Sequence, residues 1–169
     1  MQGQDPRSLR HAFGRFATGV TLVTTRGAGG RPEGMTVNSF ASVSLDPPLL
    51  LWSIRREAAS RAAFESSGHF AVHVLAEAQR GLAERFARPA PDGGGSRFEG
   101  LAWHPGRAGS PLLEGALARF ECATEALHPG GDHVIMLGRV LAWELGEGEP
   151  LLFHAGRFRR AECERAAAE

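Results

Sequence analysis

Apolar and polar positions nearly alternate through residues 35–45. Thr36, Asn38, Ser42 and Ser44 fall on one side, and Met35, Val37, Ala41, Val43 and Leu45 on the other. That period of two predicts one half-buried β-strand, opened by a glycine-rich turn and stopped by Pro47-Pro48. Upstream, Leu9, Ala12, Phe13 and Phe16 recur at three- and four-residue spacing, which predicts a helix over 8–16 with Asp5-Pro6 as its cap and first turn. The β-branched run 20–25 predicts a strand, and the glycines of 27–34 a hairpin-type loop. The unbroken apolar run 49–54 predicts a central strand buried on both sides. Ser60 then reads as the N-cap of a short helix over 61–64. A strand over 69–75 and a helix over 77–87, with Leu82 and Phe86 inward, come next. After a flexible surface loop at 89–96, strands over 116–126 and 134–145 flank a tight turn at 130–133, and a short strand covers 151–154. The Ala-, Arg- and Glu-rich end reads as helical or frayed. About seven or eight strands joined by hairpin-like links predict a mainly β fold, an antiparallel barrel with a few peripheral helices.

At 169 residues the chain suffices for one domain with a substantial core. Its formal net charge is zero, which gives no electrostatic reason for a nucleic-acid or anionic-membrane partner. No apolar run reaches membrane-spanning length, and Met1–Asp5 is too polar to begin a signal peptide, so a cytoplasmic protein is expected. Cys122 and Cys163 form no CxxC pair and suggest neither a disulfide framework nor a zinc site. His69 and His73 share a strand face, but no nearby Cys or carboxylate completes a metal set. All 19 basic residues are arginine, which removes lysine Schiff-base chemistry and the Walker lysine. The glycines of 27–34 fail as a dinucleotide fingerprint. Their spacing is wrong, Pro32 intrudes, and a strand rather than a helix follows.

The polar side of the 35–45 segment carries hydroxyls and an amide but no charge, which suits a polar, phosphate-bearing organic ligand better than a metal ion. Serines and threonines alone are ordinary on a wet strand face. Asn38 is the only asparagine in the chain and belongs to a residue type depleted in strands, so its amide has something specific to bond. Ser60, with arginines nearby, forms a natural seat for a phosphate.

Together these residues carry a resemblance. Gly34-Met35-Thr36-Val37-Asn38-Ser39-Phe40 with Ser42-Val43-Ser44-Leu45-Asp46-Pro47-Pro48 resembles the signature of the flavin-reductase-like, FMN-binding split-barrel family. Phe16-Ala17-Thr18-Gly19-Val20-Thr21, Gly131-Asp132-His133 and Phe153-His154-Ala155-Gly156-Arg157-Phe158 agree in order and spacing. Each motif is weak alone; the four in register are specific. The resemblance spans residues 8–160, with 1–7 and 161–169 as terminal extensions. It implies an antiparallel split β-barrel, a homodimer with flavin near the subunit interface, and reduction of FMN or FAD by NADH or NADPH. The reduced flavin would often supply a separate monooxygenase. Carried over by position, Thr36, Val37, Asn38 and Ser39 would line the isoalloxazine and ribityl chain, partly through backbone groups. Ser53, Ile54 and Arg55 would continue that wall, Ser60 would meet the phosphate, Phe86 would pack near the flavin, and Arg157 would reach in from the C-terminal strand. His133 would face the nicotinamide and is the candidate catalytic residue.

Two departures qualify the resemblance. Relatives often carry an aromatic hydroxyl at the positions of Phe153 and Phe158, and this chain has no tyrosine. The segment before Ser60 is poorer in hydroxyls than is usual, which implies a loosely held, exchanging flavin. An ideal strand would also point Ser39 away from Asn38, so both can face one ligand only through a bulge or through the backbone. Two alternatives remain open beside the reductase: a flavin-binding or sensory module without turnover, and another flavoenzyme on a similar barrel, such as a pyridoxine-phosphate oxidase.

Overall fold

The computed structural model describes residues 5–89 and 96–161. The expected helical or frayed end, Cys163 and most of the 89–96 loop lie outside the described residues.

Helix α1 (Pro6–Phe13) is capped by Asp5, whose carboxylate accepts from the Arg7 N–H at 3.1 Å. It is shorter than the expected 8–16 helix, and none of its residues is buried. The strands β1 (Thr18–Gly19), β2 (Thr21–Arg26) and β3 (Pro32–Val37) follow. The single strand expected over 35–45 is not formed. After β3 the chain breaks at 38–40 and resumes as β4 (Ala41–Leu45). Then come β5 (Pro48–Arg55), α2 (Arg61–Ser67), β6 (His69–Val74) and α3 (Arg80–Ala87). The short β7 (His104–Pro105) and β8 (Pro111–Leu112) precede the long hairpin β9 (Ala118–Gly130) and β10 (His133–Leu145). A terminal hairpin, β11 (Leu151–His154) and β12 (Arg157–Arg160), ends the described chain; its second strand was not expected.

Seven strands form one antiparallel sheet in the order β3-β2-β6-β9-β10-β5-β4. The break at 38–40 now has a topological meaning, because β3 and β4 are the two edges of that sheet. Six inter-strand steps would span about 29 Å if the sheet were flat. Four Cα steps from Val37 to Ala41 reach at most about 14 Å. The sheet is therefore strongly curled, with its edges brought together by the link. No backbone ladder joins β3 to β4, so the structure shows an open, curled antiparallel sheet rather than a closed barrel. β1 pairs with β11, and with β12 they make a separate three-stranded sheet.

One core fills the curl. Val23, Trp52, Ile54, Phe70, Val72, Cys122 and Met136 pack there, and Phe64 of α2 closes one end, its ring edge-on to Trp52 at 4.9 Å. Gly138 lets the sheet close over Phe70, because a Cβ there would sit 2.3 Å from the ring. Burial also pushes the Cys122 thiol up to about 12, which makes it an inert core residue. A second core lies between β2 and α3, with Leu22, Leu75, Ala83, Phe86 and Phe98. This double cover explains why Thr21–Thr25 is buried throughout. β5, expected to be buried on both faces, instead alternates: Leu50, Trp52 and Ile54 are in the core and Leu49, Leu51 and Ser53 are half-buried.

His73 crosses between layers. Its Nδ1 lies 3.1 Å from the Leu22 carbonyl, and its Nε2 accepts from the Leu113 N–H at 3.1 Å. The ring is thus a neutral structural bridge with Nδ1 protonated. Among the described residues no group of three His, Cys, Asp or Glu is placed to hold a metal.

Candidate active site

An edge strand exposes backbone groups along one side. β3 pairs with β2 alone, and α3 packs across it. Two contacts set that approach. The Thr36 hydroxyl donates to the Ala83 carbonyl at 2.8 Å, and Gly34 admits Phe86, which would meet a Cβ at 3.0 Å. Between β3, the end of α3 and the segment from β5 to α2 lies a cleft of about 550 Å³. Its walls include Thr36, Arg55, Ser60, Phe86, Arg88 and Arg97. A smaller apolar niche of about 160 Å³ adjoins it through Thr36 and Ala87, and adds Val20, Val37, Asn38, Phe153 and Phe158. Phe153 and Phe158 meet edge to face at 5.5 Å.

Beside the carboxylates of Glu33 and Glu57, the cleft carries groups that suit an anion. Ser60 stands at the N-cap position of α2, yet its hydroxyl makes no capping bond; its recorded contact is the Met35 thioether at 3.9 Å, a weak acceptor. That leaves a largely buried hydroxyl on the cleft wall with bonding capacity to spare. Arg97 lines the same cleft, only 14 % of its side chain exposed. Its guanidinium lies over the Phe86 ring at 5.8 Å, donates to the Arg88 carbonyl at 3.0 Å, and stands 3.9 Å from the Glu33 carboxylate. Burial lowers the Arg97 pKa from its ordinary value, with Glu33 opposing the shift. A partly desolvated cation with one loose counter-charge gains by meeting a phosphate.

Of the residues expected at the site, Thr36, Arg55, Ser60 and Phe86 line the large cleft, and Val37 and Asn38 the niche. Asn38 is exposed at the start of the link rather than inside a strand. The Ser39 hydroxyl is turned to Ser53, accepting from its N–H at 2.9 Å and donating to its carbonyl at 3.3 Å. The Ile54 side chain points into the core and its backbone pairs in register with Val134 of β10, so it supports the wall from behind. Arg157 is exposed opposite His154 in the terminal hairpin, beside Phe158 but on neither lining.

His133 also lies outside both linings, one residue across the ladder from Arg55, with which it pairs in register. Its Nδ1 is 2.7 Å from Asp132 Oδ1, which leaves Nε2 free to face outward. The bond to His133 holds the Asp132 carboxyl below its ordinary value. Arg56 laces the turn to the end of β5, its Nε donating to the Gly131 carbonyl at 2.8 Å and its N–H to the Asp132 carbonyl at 2.9 Å.

Sequence reasoning missed Arg97, Arg88, Glu33 and the lining role of Ala87. Arg97 follows the glycine-rich loop with no periodicity around it. The one signal was its neighbour Phe98, an aromatic residue that proves to be buried edge-on to Phe86 at 4.9 Å.

Comparison with known proteins settles the family. The flavin reductase like domain matches residues 13–162. The chain belongs to the flavin reductase family. It is 48 % identical over 158 residues to the FMN reductase (NADH) SmoA of Agrobacterium fabrum, covering 94 % of this chain and 87 % of that one. It is 44 % identical over 155 residues to HsaB of Rhodococcus jostii, the reductase subunit of a flavin-dependent monooxygenase, covering 91 % and 77 %. The solved structure of the NADH:FAD oxidoreductase SgcE6 of Streptomyces globisporus superposes with a TM-score of 0.86 at 42 % identity, covering 96 % of this chain and 99 % of that one. SgcE6 has also been solved in complex with NAD and FAD fragments.

Proposed function

We propose that the chain is an NAD(P)H:flavin oxidoreductase that reduces FMN or FAD and releases it to a separate flavin-dependent monooxygenase. The observation that carries this reading is the cleft beside the free edge of β3. It brings the Thr36 edge of β3 together with the Ser60 hydroxyl and the Arg97 guanidinium, within a family whose relatives are NADH-dependent reductases. The residues present fit a flavin: a spare hydroxyl and a desolvated guanidinium for phosphate, Phe86 and the β3 edge for the ring. Bound there, a flavin supplies the hydride acceptor, so the protein's share of catalysis is orientation and electrostatics. Thr36, Val37, Asn38 and Arg55 form the wall, and Ser53 and Ile54 back it. Ser39 acts by fixing that wall, and Arg157 guards the niche. His133, its tautomer set by Asp132, orients the nicotinamide beside Arg55.

Residues 8–160 form the catalytic domain on this reading, and the curl of the sheet, tied across its gap by Ser39, supports a split-barrel architecture. A homodimer completes it. Beyond Arg139 the β10 strand has no β5 partner, and it carries exposed Leu141, Trp143 and Leu145, while Leu45 of edge strand β4 is 95 % exposed. These apolar positions suit a second copy. No described helix is long and apolar enough to cross a membrane; the cytoplasm, where reduced nicotinamide nucleotides are supplied, is the proposed compartment.

The test is oxidation of NADH and of NADPH by the purified chain with FMN, FAD and riboflavin in turn. Flavin-dependent consumption is expected. Flavin binding without consumption would make the protein a binding module, and neither would end the flavin reading.

A further inference from the structure

A second cavity, of about 280 Å³, opens off the arginine end of the cleft. Gly81, Glu84, Arg85, Arg88, Pro89 and Arg97 line it. Arg88, Pro89 and Arg97 line both spaces, so a ligand leaving the cleft past Arg97 enters the second cavity directly. Three arginines and one glutamate line it; that glutamate, Glu84, is already bonded by Arg80 at 2.9 Å, and Arg97 stands 3.9 Å from the Glu33 carboxylate of the adjoining cleft. Arg85 is steadied by a bond to the Glu99 carbonyl, and Arg97 by the Arg88 carbonyl. These planar cations are held in place, which suits them to a phosphate at their N–H edges and to a flat heterocycle on their faces.

Arg85 lines this cavity and not the cleft, so a mononucleotide held in the cleft by Ser60 and Arg97 would make no use of it. A second phosphate joined to the first, followed by an adenine, would run on past Arg97. We propose that the Arg85–Arg88–Arg97 cavity takes the adenylyl phosphate end of a dinucleotide flavin, so that FAD is the preferred flavin. This rests on the flavin reading of the cleft. The ADP half of a nicotinamide nucleotide has the same chemistry, but His133, the candidate for meeting the nicotinamide, lines neither space. Arg55 lines the cleft and not the second cavity. Continuity through the shared Arg88–Arg97 wall favours a ligand joined covalently to the phosphate at Ser60.

Fluorescence titration of the flavin-free protein with riboflavin, FMN and FAD tests this directly. In the parent chain FAD is expected to bind about tenfold or more tightly than FMN, the worth of one added charge-assisted hydrogen bond. In Arg85→Ala that preference is expected to collapse towards one, with FMN binding in the same variant reporting an intact cleft. FMN binding as tightly as FAD in the parent chain overturns the proposal without recourse to any variant. So does an Arg85→Ala protein that loses FMN and FAD affinity equally. A raised KM for NADH with the FAD preference intact would assign the cavity to the nicotinamide nucleotide and overturn it too. Failure of all three flavins to bind would instead remove the flavin reading itself, and this proposal with it.

Discussion

The Ser39 hydroxyl is bonded to both backbone groups of Ser53, accepting from the N–H at 2.9 Å and donating to the carbonyl at 3.3 Å. Ala41 pairs with Leu51 in the β4–β5 ladder, so Ser39 and Ser53 stand opposite each other two residues further along the same register. A side chain replaces the ladder there, and it ties the link between the sheet's two edges.

Replacing Ser39 by Ala should therefore cost stability, because it strips Ser53 of a donor and an acceptor at once. A loss of about 1–2 kcal/mol is expected for the orphaned, half-buried N–H. Urea unfolding should show a lower midpoint with an unchanged slope. A midpoint equal to the parent's would mean that the tie does not hold the edges.

The anion-suited groups of the cleft make a ligand-specific prediction. Arg97→Ala should weaken FMN binding by about 10- to 100-fold, and Ser60→Ala by about tenfold, the range for a hydrogen bond to a charged group. Riboflavin lacks the phosphate and should lose far less in both. Equal losses for FMN and riboflavin would show that these side chains shape the cleft rather than grip a phosphate.

Much of this site was legible before the fold was known, for an identifiable reason. Thr36, Asn38 and Ser60 announced themselves because uncharged polar groups stood where local pattern did not require them. The alternation itself misled. It lapses at Ser39 and Phe40, a polar residue on the apolar side and an aromatic one on the polar side, yet the period of two records only which side each residue faces along an extended chain. It cannot show that the chain leaves one sheet edge and joins the other. Ser39 was thereby read as a ligand contact when its hydroxyl closes the curl. Arg97 was invisible because its burial depends on Phe86 arriving from α3, a contact that no local period encodes. β12 was missed because Arg157–Arg160 is mostly charged, and its pairing with β11 comes from the turn at Ala155-Gly156, where both residues take positive φ.

His133 should matter to rate rather than to flavin retention. His133→Ala is expected to slow single-turnover flavin reduction by about tenfold or more through lost orientation of the nicotinamide. Asp132→Asn should share part of that loss, since Asp132 fixes the tautomer with a 2.7 Å bond. Unchanged stopped-flow reduction in both variants would remove the pair from the mechanism.

The exposed β10 face predicts assembly. Trp143 is 67 % exposed and Leu145 78 % exposed on a strand segment without a β5 partner. Trp143→Glu would bury a charge in any interface formed there and should shift the protein from dimer to monomer in sedimentation velocity. A parent chain that sediments as a monomer would refute the dimer at once.

His73 sets an acid limit on stability. Its folded-state pKa is lowered from 6.5 to about 4, chiefly because burial disfavours the charged ring, with the Leu22 carbonyl opposing and Arg119 adding to the shift. Protonation would also place a second N–H on Nε2, against the Leu113 N–H that now donates to it. The sign follows from proton uptake. Between the two pKa values the unfolded chain binds a proton that the folded chain refuses, so stability is full above about pH 6.5 and falls as pH drops towards about 4. The loss should reach about 3 kcal/mol from this one group and then level off. Urea midpoints measured across that window should decline in the parent chain. In His73→Gln, which is less stable overall, the decline should be shallower by that amount. An equal slope in both proteins would show that another group carries the acid sensitivity.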